Sequence, residues 1–215
     1  ADITLVGASK MNDAAACREA IAAGIDVLGE NRVQEMTAKL AENAYEGAPL
    51  HFIGHLQRNK VRQVVGKAAL IQSVGSEPLL REIEKEAAKQ DLVQDILLEV
   101  NIGGEEAKSG FAPELLADAA RLARTLPHIR VRGIMAIPPA DATREENVVY
   151  FRKVQALYVD INEKIYNELP KNGINFNKLV EQINDFIESL GLKGKFATLI
   201  ICLLNMKNGE LYMCN

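Results

Sequence analysis

Short unbroken apolar runs alternate with segments of helical period along the first two thirds of the chain. The runs are Ile3 to Ser9 (ITLVGAS), Asp26 to Glu30 (DVLGE), His51 to Gly54 (HFIG), Ala69 to Val74 (ALIQSV), Asp95 to Asn101 (DILLEVN) and Val131 to Ile137 (VRGIMAI). Half-buried strands alternate apolar and polar residues; these runs do not, which is how parallel strands covered on both faces read. Between them, Asn12 or Asp13 is placed to cap a first helix that Gly24 closes. Glu77 to Gln90 carries Leu79, Leu80 and Ile83 beneath a charged outer face, and Ala112 to Leu126 repeats the pattern with Leu115, Leu116, Ala119 and Leu122. Val61 to Gly66, behind Arg58 and Lys60, reads as a solvated helix. Six β-then-α units predict an α/β sheet or a TIM-barrel-like (β/α) repeat, two units short of a closed eight-stranded barrel.

The rhythm breaks near residue 165. Phe176 to Leu190 places Phe176, Leu179, Val180, Ile183, Phe186, Ile187 and Leu190 on one helical stripe. After it, Ala197 to Leu204 (ATLIICLL) and the closing NMKNGELYMCN flank Asn208-Gly209, a type I′ hairpin signal. A tight hairpin makes antiparallel neighbours, whereas parallel barrel strands need a crossover of a dozen or more residues. These two runs are therefore not expected to be adjacent seventh and eighth barrel strands. The chain divides into residues 1–165, a (β/α) barrel-like domain, and residues 166–215, a tail of amphipathic helix plus hairpin with atypical or incomplete closure.

Composition narrows the function. A net charge of -4 and a pI near 5.5 argue against a nucleic-acid partner, because phosphate backbones need a basic face. Cys17, Cys202 and Cys214 form no CxxC pair, which fits a reducing compartment better than a disulfide framework or a cysteine zinc site. No apolar run reaches the length of a membrane span and no secretory leader opens the sequence. The expected protein is soluble and cytoplasmic, a monomer or at most a weak homodimer.

Lys10 follows the first apolar run directly, in VGASK, at the strand end where α/β folds place ligands. A lysine in a partly desolvated mouth exposes a neutral amine suited to a Schiff base; a lysine at a strand end also simply snorkels to the surface. Other polar residues end strands on the same face: Glu30 and Asn31, His55 and Gln57, Ser73, and Asn101, with Met135 inside the sixth run. Together they make a ring of hydrogen-bonding groups around one mouth, as a small polar ligand requires. The loop Gly103 to Gly110 is glycine-rich but matches neither a P-loop nor GxGxxG, and serves as a flexible rim or a phosphate contact. His51, His55 and His128 lack metal-ligand spacing, and no hydrolase or protease signature is present.

The blocks GASK (Gly7 to Lys10), LGENRVQE (Leu28 to Glu35), HFIGHLQRNK (His51 to Lys60), VNIGGEEAKSGF (Val100 to Phe111), RGIMAIPP (Arg132 to Pro139) and YFRKV (Tyr150 to Val154) resemble the YggS/PROSC pyridoxal phosphate homeostasis proteins. These are single-domain relatives of the alanine racemase barrel domain. The resemblance implies that Lys10 is the Schiff-base lysine and that Asn31 lies beside the cofactor; His55, Ser73 and Met135 are expected around it from their places on the same mouth. It also implies reversible binding of pyridoxal 5'-phosphate, as a carrier or buffer in vitamin B6 and amino-acid balance, without turnover.

The tail departs from that family. Family members hold the phosphate with a Ser-x-Gly-x-Ser-like motif and an Arg-x-Gly-Thr-like motif on strands 7 and 8, and neither occurs after residue 165. The Gly191 to Lys195 loop, with Lys193 and Lys195, is a possible replacement anchor. The closing FATLIICLLNMKNGELYMCN is instead similar, over a short stretch, to a strand hairpin of metal-dependent serine/threonine phosphatases, without their acidic metal ligands. Two other readings follow. An alanine racemase-like enzyme needs a second domain with an opposing base, for which 215 residues leave no room. A truncated or chimeric barrel would bind the cofactor weakly or not at all.

Overall fold

The computed structural model describes residues 3–105, 108–166, 200–204 and 211–214. Six parallel strands lie where the apolar runs predict them: β1 Ile3–Ala8, β2 Val27–Glu30, β3 Leu50–Phe52, β4 Leu70–Val74, β5 Gln94–Val100 and β6 Ile129–Ala136. Each pairs in parallel with the next. Two further strands, β7 Ile200–Leu204 and β8 Leu211–Cys214, complete the ring. β7 runs antiparallel to both β6 and β8, while β8 pairs in parallel with β1, Ile3 lying opposite Leu211 and Val6 opposite Cys214. The antiparallel pairing is what Asn208-Gly209 predicts, although residues 205–210 lie outside the described residues. The expectation that such a pair has no place as seventh and eighth strands is corrected: it assumed a wholly parallel ring, and one reversed strand satisfies both the hairpin and the closure.

Strand alternation sorts the core into two layers. Val6, Val27 and Ile53, with Ala8, form one small apolar cluster, and Leu70, Leu97 and Met135, with Ile137, form another. These are the inward positions of the ring. The residues between them face outward into one large core shared with the helices, where Phe52, Ile71, Ile96, Leu98 and Ile134 are buried.

The helices are α1 Ala14–Ala22, α2 Val33–Ala41, α3 Glu77–Lys89, α4 Leu116–Arg124 and α5 Arg144–Ile161. Asp13 caps α1 by accepting from the Ala16 N–H at 2.8 Å, and Gly24, at φ +94°, ends that turn. Thr143 opens α5 with a reciprocal capping box to Glu146. Two helical readings are corrected. Arg58 to Gln63 forms a 3-10 turn, and Val61, Val64 and Val65 are buried rather than solvated, because only the charged residues between them reach water. Pro113 to Leu115 forms another 3-10 turn, so Leu115 is 54% exposed and the buried stripe of α4 is Leu116, Ala119, Ala120 and Ala123. The amphipathic stripe Phe176 to Leu190 lies outside the described residues.

Candidate functional site

The carboxyl ends of β1 to β6 carry the predicted ring, and the structure sorts its members by what each side chain already does. The β1–β2 register runs to Ala8 opposite Gly29, and Lys10 and Asn31 each stand two residues beyond it, past the ends of their strands. Val6 and Val27 are the inward positions of those two strands. Lys10 is exposed, and its carbonyl accepts from the Asn12 side chain at 3.2 Å. It sits on a tight turn, with the next residue, Met11, at φ +62°. The Asn31 carboxamide oxygen is buried and accepts no hydrogen bond among the described residues. Its backbone is held so closely against β3 that a Cβ on Gly54 would stand 2.1 Å from the Asn31 carbonyl oxygen, a spacing only glycine tolerates.

Two cavities open around His55, and Lys10 lines neither. One, of about 530 Å³, is lined by Asn31, Glu35, His55, Gln57 and Lys60 among others. The other, of about 700 Å³, is lined by His55, Gln57, Arg58, Ser73, Ser109 and Gly110 among others. The exposed His55 thus stands at both, and Ser73, on β4, contributes to the larger. The Ser73 hydroxyl is buried and donates to the Gly54 carbonyl at 2.6 Å, so it ties β4 to the turn that packs on Asn31. Met135 is buried with Leu70 and Leu97, as part of the floor beneath the mouth.

Two expected ring members are engaged elsewhere. Asn101 closes its own loop, donating to the Glu105 carbonyl at 2.8 Å and accepting from the Glu105 N–H at 3.2 Å. Glu30 points away from the mouth, to the helix side of β2, where Ser9, Lys39 and Tyr45 bind it. The alternation of β2 puts neighbouring residues on opposite faces, so Glu30 and Asn31 cannot both line one mouth.

Sequence reasoning missed three buried polar groups, two on these strands and one on α2. His51 shares a 2.9 Å contact with the Gln72 amide, and burial lowers its pKa to about 4, so it is neutral at pH 7. Glu99, opposite Met135 and beneath Gly75 and Gly110, has a buried carboxylate oxygen without a partner, and desolvation raises its pKa against an opposing bond from Ser109. The third is Lys39, six per cent exposed, on α2. A polar residue at an inward position of an otherwise apolar run was the available signal for the first two.

Among the described residues no group of three or more histidine, cysteine or acidic side chains is placed to hold a metal ion. Nor is any described helix long and apolar enough to cross a membrane. The Lys193 and Lys195 loop lies outside the described residues.

Comparison with known proteins decides the family. The alanine racemase N-terminal domain matches residues 7–179. A pyridoxal phosphate homeostasis protein of Aquifex aeolicus is 42% identical over 166 residues, covering 77% of this chain and 73% of its own. The chain belongs to the pyridoxal phosphate homeostasis protein family. Another member, from Pseudomonas aeruginosa, is 37% identical over 162 residues, covering 75% of this chain and 70% of its own. PipY of Synechococcus elongatus PCC7942 superposes with a TM-score of 0.71 without PLP and 0.68 with PLP bound, at 32% identity, over 75% of this chain and 76% of its own. Membership in this homeostasis family fixes the fold as the alanine racemase N-terminal type, with a parallel β/α arrangement.

Proposed function

We propose that this protein binds pyridoxal 5'-phosphate reversibly through Lys10, as a carrier or buffer in vitamin B6 homeostasis. The observation that carries the reading is that Lys10 and Asn31 follow directly on the paired ends of β1 and β2, with the buried Asn31 acceptor oxygen left without a partner among the described residues. An exposed amine and a pinned, unsatisfied acceptor fit an aldehyde ligand that also presents a hydrogen-bond donor. When bound, pyridoxal phosphate would supply an aldehyde that the Lys10 amine would hold reversibly, with Asn31 orienting it.

The chain's own residues do the rest. Asn31 orients the ligand without adding a charge, and the Gly54 turn keeps Asn31 in place. Ser73 holds that turn, His55 borders the ligand from the third strand, and Met135 closes the floor. The homeostasis proteins among the relatives support a binding role without turnover. The net charge of -4 supports the absence of a nucleic-acid partner.

The test is an absorbance titration. Wild-type protein develops a visible band on addition of pyridoxal phosphate, and Lys10→Ala does not. An undiminished band in Lys10→Ala would end the assignment.

A further inference from the structure

Directly behind Lys10, on the helix side of β1, lies a buried ion pair that no ligand contact explains. Glu30 is fully buried and Lys39 is 6% exposed, and the two are in direct contact. Two bonds lead from the pair to the residue before Lys10. The Ser9 hydroxyl donates to Glu30 Oε1 at 2.6 Å, and Lys39 Nζ donates to the Ser9 carbonyl oxygen at 2.6 Å. Tyr45 donates to the same Glu30 oxygen at 3.0 Å, while Glu30 Oε2 has no partner among the described residues. One turn along α2 from Lys39, the Glu35 carboxylate accepts from the Met11 N–H at 3.0 Å, on the other side of Lys10.

Burying two charges is costly, and a pair replaced by apolar residues of like volume often leaves a protein no less stable. Stability alone therefore does not account for this pair. Its bonds fix the orientation of one peptide, Ser9-Lys10, while α2 clamps Met11 from the far side.

We propose that the Glu30–Lys39 pair is a positioning and charge-balancing device for Lys10, holding its peptide at the mouth while presenting no net charge to its amine. This rests on Lys10 being the reactive lysine, and it assigns roles to two residues that touch no ligand. Other charged groups on the described elements around Lys10 are Asp13 at the cap of α1, Arg32 and Glu35 at the start of α2, and His55 beyond β3.

Charge balance makes the two single substitutions act in opposite directions. Lys39→Met leaves a buried anion behind Lys10 and holds its proton more firmly. Glu30→Gln leaves a buried cation and loosens it. Competitive acetylation of the cofactor-free protein at fixed pH, read by peptide mapping, measures this, with the exposed Lys85 and Lys89 as internal references. Lys10 should label about three- to tenfold more slowly in Lys39→Met and about three- to tenfold faster in Glu30→Gln. The double variant Glu30→Gln/Lys39→Met should return to the wild-type rate, and it keeps the test open if a single variant fails to fold.

Pyridoxal phosphate titration of the folded single variants should show affinity at least about tenfold weaker. Rates shifted the same way in both single variants, or unchanged rates and affinities in folded protein, would overturn the proposal. A Lys10→Ala protein that still forms the visible band would instead overturn the choice of Lys10 as anchor, while the labelling rates would still report the charge balance.

Discussion

Asn31, just past β2, and His51, on β3, are both polar residues, and their surroundings give them opposite fates. Asn31 keeps an unpartnered acceptor at the mouth, so Asn31→Ala should weaken pyridoxal phosphate binding by about 1 to 2 kcal/mol, the usual worth of one buried hydrogen bond. Equal affinity in an absorbance titration would make Asn31 a loop residue only. His51 is held neutral, its pKa lowered by burial from 6.5 to about 4. The unfolded chain binds that proton near pH 6.5 and the folded chain only near pH 4, so the stability His51 contributes is present above pH 6.5. It is lost as pH falls through that window. Urea denaturation should show wild type losing roughly 2 to 3 kcal/mol more than His51→Gln between pH 7 and pH 4.5. Parallel pH profiles would contradict the buried, neutral state. In sequence, the Lys10 and Asn31 positions were legible as polar residues just past apolar runs. Glu99 was missed although a polar residue inside an apolar run was there to read, and the Ser9–Glu30–Lys39 cluster was not legible, because which face a residue takes depends on strand register and helix packing.

At the scale of elements, the unbroken apolar runs located all six parallel strands to within a residue or two, since burial on both faces leaves no competing pattern. Helix α4 was harder. The adjacent leucines Leu115 and Leu116 fit two helical registers, and the proline at 113 starts the segment as a 3-10 turn that rotates Leu115 into solvent. Leu116→Ala should therefore destabilise the protein by about 2 to 5 kcal/mol, and Leu115→Ala by less than about 0.5 kcal/mol. Similar losses in thermal or urea unfolding would refute this register. The Val61, Val64 and Val65 anchors escaped notice because a short 3-10 segment has no sustained period to read. The reversed β7 escaped for another reason: the hairpin signal was sound, but local signals do not say which strands a hairpin will border.

For the whole molecule, the proposed site puts its aldehyde end on residues from the first half of the ring and leaves the phosphate end to the tail. The sequence after residue 165 contains neither the Ser-x-Gly-x-Ser-like nor the Arg-x-Gly-Thr-like motif, and no arginine follows Arg152. Charged hydrogen bonds are worth roughly 1.5 to 3 kcal/mol each, so a site lacking them should bind pyridoxal phosphate and phosphate-free pyridoxal within about tenfold of each other. A far larger preference for the phosphorylated form would reveal an anchor in the tail, with Lys193 and Lys195 the first to substitute. The central claim is that Lys10 is the covalent anchor, and reductive trapping tests it most directly. Protein saturated with pyridoxal phosphate is reduced with borohydride, digested and mapped by mass spectrometry. The account predicts one dominant pyridoxyl group, on Lys10; a dominant label on Lys60, which lines the neighbouring cavity, or on any other lysine would contradict it.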